Sequence, residues 1–68
     1  MEALYSTLEN IQNRSRVFGK QSIEFTFSNQ LILVNADLGL LSIQVGSSKF
    51  SSTNVSDLVY KIDQTIQN

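Results

Sequence analysis

Apolar residues recur with two different periods along this chain, and the change of period divides it. Met1, Leu4, Tyr5, Leu8 and Ile11 fall at i, i+3, i+4, i+7 and i+10, which is one stripe of an amphipathic helix over residues 2 to about 15. Glu2 near its start and Arg14 and Arg16 near its end complement the helix dipole, and Gly19 breaks the run. From Gln21 the period becomes two. Ile23, Phe25 and Phe27 alternate with Glu24, Thr26 and Ser28, which predicts a half-buried strand with an aromatic inner face. Ser28-Asn29-Gln30 suits a tight hairpin, with Asn29 the residue most tolerant of positive φ.

The second strand, Leu31 to Ala36, is apolar on both faces, because Leu31 and Leu33 point one way and Ile32 and Val34 the other. Ala36-Asp37-Leu38-Gly39 makes the next turn, and Leu40 to Val45 alternates again with Leu41, Ile43 and Val45 inward. Gly46 ends that strand, and Ser47 to Thr53 reads as a polar loop pinned to the core by Phe50. Thr53 or Asn54 caps a last helix with Asp57 in its first turn, the stripe Val55, Leu58, Val59, Ile62, Ile66, and a supporting Asp57–Lys61 pair. The expected fold is one α+β domain over residues 1–68 in the order α-β-β-β-α, a three-stranded antiparallel meander with two helices.

Length changes how that pattern is read. A chain of 68 residues buries only about 60% of its unfolded surface, so one core is marginal without a staple or a partner. There is no Cys or His, so disulfides and the usual zinc sites lack their ligands. Two helices cover one face of a three-stranded sheet, and whichever face the middle strand turns outward carries an aliphatic pair. Either that pair meets a second copy or the first helix swings over a neighbour's sheet. Both routes give a homodimer, with Leu4, Leu8, Ile11, Leu31, Ile32, Leu33 and Val34 as the candidate contact and Tyr60, off its helix's stripe, as a further interface candidate. Tyr5, on the stripe, is expected in the core.

The same absences bear on chemistry. Neither a Ser-His-Asp triad nor a Cys-His pair can be assembled, and the six carboxylates are never closer than six residues in sequence. The three glycines sit in separate connections, so no phosphate-cradling loop is formed. No enzymatic activity, cofactor or metal is expected. Five Lys/Arg against six Asp/Glu give a net charge of -1, and Ser, Asn, Gln and Thr make up 26 of the 68 residues, a weakly charged polar surface that permits self-association. Arg14, Arg16 and Lys20 are the one concentration of bases: either a phosphate-contacting patch doubled by a two-fold axis, or residues that offset a helix dipole and solvate a turn. The longest apolar run, Leu31 to Val34, is too short to cross a bilayer, and the first fifteen residues hold no signal-peptide core, so no membrane partner and a cytoplasmic location are expected.

From Ser28 to Val45 the sequence SNQLILVNADLGLLSIQV resembles the paired strands of the small YbaB-like nucleoid-associated proteins. A short turn leads into an aliphatic strand and an Asp-x-Gly turn follows. Where that family has a strand of the form Leu-x-x-Ile-x-Ile this chain has Leu40-Leu41-Ser42-Ile43-Gln44-Val45, and the loop and helix after it are matched by Leu58, Ile62 and Ile66. The amphipathic first helix also fits. Gly46-Ser47 stands where that family commonly has an acidic-Pro step. The resemblance implies a homodimer that binds double-stranded DNA without catalysis, or an accessory protein of a secretion system or other assembly. Three functions are therefore in view. The first is a non-enzymatic interaction module acting through protein–protein contacts. The others are a DNA-binding protein using Arg14, Arg16 and Lys20, and a small inhibitor or accessory subunit of the kind mobile elements carry.

Overall fold

In the computed structural model, which describes residues 2–67, the opening helical period becomes α1 (Glu2–Phe18). Met1, expected on its stripe, lies outside the described residues. Four strands follow, β1 (Gln21–Phe27), β2 (Gln30–Asp37), β3 (Leu40–Val45) and β4 (Ser48–Ser52), and α2 (Val55–Gln67) closes the chain. The fold is α+β, as expected, and its strands form one antiparallel sheet in the order β1-β2-β3-β4.

The fourth strand corrects the three-strand expectation. Ser48 to Ser52 carries a single large apolar residue, and the Gly46-Ser47 turn delivers that residue, Phe50, opposite Ile43 on the covered face. Backbone pairing with β3, not hydrophobic alternation, makes this stretch a strand.

Turn chemistry sets the register. Ser28 and Asn29 both have positive φ (51° and 64°), as do Leu38 (50°) and Gly39 (94°), so the first two of the three hairpins close through two-residue turns whose twist suits antiparallel strands. At the first turn Phe27 pairs with Gln30 and Phe25 with Ile32, which puts Ile32 and Val34 on the face of the phenylalanines and turns Leu31 and Leu33 to the other. The first helix runs three residues past its expected end and stops at Gly19 (φ 86°), whose N–H donates to the Ser15 carbonyl at 3.0 Å. Asn54 caps α2, its Oδ1 accepting the Asp57 N–H at 3.2 Å.

Both helices lie on one face of the sheet: α1 over β1, β2 and β3, and α2 over β3 and β4. Leu4, Leu8 and Ile11 from α1 and Val55, Leu58 and Ile62 from α2 meet Ile32, Val34, Ala36, Leu41, Ile43 and Val45 from the sheet in one buried cluster. Leu8, Ile32, Leu41, Leu58 and Ile62 are completely buried, so truncating any of them costs about 2–5 kcal/mol. The first helix therefore folds back on its own sheet. A Cα radius of gyration of 10.9 Å agrees, since a compact chain of this length has about 11 Å. Ile23 (36% exposed) and the half-buried Phe25 and Phe27 are less covered than expected, because β1 is an outer strand. Tyr5, expected in the core, is 39% exposed: it lies one helical step beyond the sheet-facing stripe.

Candidate interaction surface

The face of the sheet opposite the helices is bare. Alternation along each strand decides what it shows, and the register arranges those residues in rows across the strands. One row runs Glu24, Leu33, Gln44, Lys49 from β1 to β4, and the next runs Ser22, Asn35, Ser42, Ser51. Leu31 stands opposite Thr26 toward one end, and Leu40 opposite Asp37 at the other. Three leucines thus sit among hydroxyl, amide and two carboxylate side chains, with Leu31 53% and Leu40 46% exposed and Leu33 half-buried. A shallow depression between β2, β3 and β4 is lined by Leu33, Asn35, Ser42, Gln44, Lys49 and Ser51, among others. The only charged residues facing this side from the strands are Glu24, Asp37 and Lys49.

This geometry divides the residues expected at a subunit contact. Leu31 and Leu33 are on the bare face. Leu4, Leu8, Ile11, Ile32 and Val34 are not available to a partner, because each is at most 4% exposed within the chain's own core. They correct the expectation of an interface built from the first helix: its apolar stripe is already covered by the sheet beneath it. Tyr60 is 63% exposed, but on α2 it lies about 170° from the stripe of Val55, Leu58 and Ile62, so it points away from the sheet and is not joined to the leucine face.

The three bases share one end of the molecule but not one surface. Arg14 and Arg16 are about 200° apart around α1. Arg14 lies toward β1, bordering a hollow with Ile11, Gln21 and Ile23. Arg16 lies against the β2–β3 turn, where its Nε is 2.8 Å from where a Cβ on Gly39 would sit, and its Nη1 is 3.5 Å from Asn13 Oδ1. Lys20 belongs to the opposite layer and borders a hollow with Ser22, Asn35, Asp37 and Leu40. Beside them, Val17 and Phe18 (each 74% exposed) end α1, and Leu38 (73%) tops the adjacent turn.

A buried polar junction behind that end escaped the reading of the sequence. Gln12 Nε2 donates to the carbonyl of Gly39 (2.9 Å) and to that of Thr53 (2.7 Å), while Ser15 Oγ accepts the Gly39 N–H (2.9 Å) and donates to the Gln12 carbonyl (2.7 Å). Gln12 is 5% and Ser15 0% exposed. Their signal was positional: residues 12 and 15 continue the 4-8-11 stripe, so two polar side chains occupy core-facing places. The junction ties α1 to the β2–β3 turn and to the join between β4 and α2.

Among the described residues no group of three His, Cys, Asp or Glu is placed to hold a metal ion, and no helix is long and apolar enough to cross a membrane. Compared with family models, curated proteins and solved structures, the chain matches none.

Proposed function

We propose that this chain is a non-catalytic interaction module that binds protein through the bare face of its sheet, with a second copy as the occupant. The observation that carries this reading is the composition of that face: Leu31, Leu33 and Leu40 stand outward on a face that is otherwise mostly neutral and polar, with Glu24 beside Leu33 and Asp37 beside Leu40. Neutral hydroxyls and amides lose far less on leaving water than charges do, so such a face can be covered at small cost. The resemblance of Ser28 to Val45 to the paired strands of YbaB-like proteins favours a homodimer as well, although β4 departs from the order which that resemblance implies.

Size sets the strength. Four strands about 4.8 Å apart, each about six residues long at 3.3 Å rise, make a flat face of roughly 400 Å² per copy. Two such faces bury less than the roughly 1,200 Å² at which stable interfaces begin, so the dimer is weak and its population depends on concentration. Sedimentation equilibrium from about 10 to 500 µM should show the weight-average mass rising from 7.6 kDa toward twice that value. The Leu31→Ser/Leu33→Ser variant should stay at the monomer mass with its fold intact. A wild-type chain that remains at 7.6 kDa throughout refutes the reading.

A further inference from the structure

We infer that the two copies stack face to face about a two-fold axis running parallel to the strands between β2 and β3, so that Glu24 of each copy faces the partner's Lys49. The inference rests on the self-association proposed above and specifies how it is built.

The row Glu24, Leu33, Gln44, Lys49 spans the whole sheet, with the acid on β1, the base on β4 and neutral residues between. A two-fold axis along the strands exchanges the β1 and β4 sides and turns the face over. Each row then lies over the same row of the other copy in reverse order. Glu24 comes to the partner's Lys49, and Leu33 to the partner's Gln44. In the next row Ser22 comes to the partner's Ser51 and Asn35 to the partner's Ser42, so polar atoms meet polar atoms there, while in the end row Asp37 comes to the partner's Leu40 and is matched only where it stays in water at the rim. Leu31 and Leu33 of both copies line the two sides of the axis as one apolar strip. Strands stacked this way run nearly aligned, the arrangement that twisted sheets favour.

The competing symmetries lack this match. A two-fold axis along the row, perpendicular to the strands, sets Glu24 over the partner's Glu24 and Lys49 over the partner's Lys49. Edge-to-edge pairing through β1 fares no better. The midpoint of Gln21–Phe27 is Glu24, so two β1 strands in full antiparallel overlap place the two glutamates directly opposite each other, a destabilising cross-strand pair.

Charge exchange tests the axis. Glu24 and Lys49 are both exposed, so substitution leaves the core intact, and far-UV circular dichroism verifies each variant. Glu24→Lys alone and Lys49→Glu alone each turn two attractive pairs into two repulsive ones, and each should weaken the dimer about tenfold or more at low salt. The double exchange, Glu24→Lys with Lys49→Glu, restores opposite charges and should return the dissociation constant to within about threefold of wild type. Glu24→Gln should weaken the dimer slightly. A dimer indifferent to both single charge exchanges, or one that the double exchange fails to rescue, overturns the axis while leaving self-association standing. Tightening by Glu24→Gln overturns it in favour of the β1 edge. A monomeric wild type overturns both the axis and the reading on which it rests.

Discussion

Replacing Gln12 should unlock two connections at once. Its side-chain amide is the common donor to the Gly39 and Thr53 carbonyls, which belong to parts of the chain 27 and 41 residues away. In Gln12→Met the volume is nearly kept and both hydrogen bonds are lost, leaving the buried Gly39 carbonyl and the part-buried Thr53 carbonyl without this donor. A net hydrogen bond contributes about 1 kcal/mol, and an unsatisfied buried carbonyl costs about 1–3 kcal/mol, so a total near 2–3 kcal/mol is expected. A chain of this length has roughly 3–10 kcal/mol of stability in all, so about a fifth or more of it would be lost. Urea unfolding followed at 222 nm should show a lower midpoint with an unchanged slope. A loss below about 0.5 kcal/mol would refute the view that this junction fastens α1 to the turn.

Gln12→Glu sharpens the same test by making the loss depend on pH. An ionised carboxylate has no proton to offer two carbonyl oxygens, so the folded state favours the protonated form and raises this group above the usual glutamate value of about 4.3. The folded chain then binds more protons than the unfolded one between the unfolded and the raised folded value. Stability of the variant relative to wild type should be greatest below about pH 4 and fall as pH rises through that window, levelling off above it. A difference between variant and wild type that stays flat from about pH 3 to 8 contradicts the geometry.

The remaining expectations concern the turn and the bases. Leu38 holds a left-handed conformation (φ 50°) while 73% exposed, so it carries the backbone cost without core burial to offset it. Leu38→Asn makes the Asn-Gly pair such turns prefer and should raise stability by about 0.5–1 kcal/mol in thermal unfolding; no gain would mean that Leu38 makes compensating contacts. The divergence of Arg14, Arg16 and Lys20 lets no more than two of them reach one duplex from a single copy. Any DNA affinity should therefore vary with salt at a logarithmic slope no steeper than about -2 per copy. A slope near -3 that flattens in the triple alanine variant would instead favour a nucleoid-associated function.

What the sequence disclosed, and what it hid, follows from how each element is held. Both helices, β1 and β3 are amphipathic in their own right, and their periods are visible because half of each is buried, while β2 is visible as an aliphatic run. The fourth strand is held by its backbone. Serines occupy both of its faces, and only Phe50 marks the inner one, so its composition is that of a loop. Which face of β2 is bare was undecided for a different reason: the segment is aliphatic on both sides, so its pattern is symmetric. Parity lay in the turn. A two-residue connection at Ser28-Asn29 makes Phe25 face Ile32, whereas a three-residue one would have exchanged the faces. The interface expectation went astray at Leu4, Leu8 and Ile11 because a stripe's period shows that it is covered, and not which chain covers it.

Chain length bears on the bare face more than on the core. Sixty-eight residues supplied two layers, and the cluster between them is closed by this chain's own helices. A two-layer fold leaves one sheet face to be either charged for water or neutral for a partner. Here that face has Glu24 and Lys49 at opposite edges, Asp37 at one end and neutral side chains through its middle. A purely solvated sheet would gain solubility from charges at Ser22, Asn35, Ser42 or Gln44, and none stands there. A permanent subunit interface, in turn, would hold more apolar area than three leucines. The composition lies between the two, which is what reversible contact requires: a desolvation cost low enough to permit docking, and too little apolar area to make it permanent.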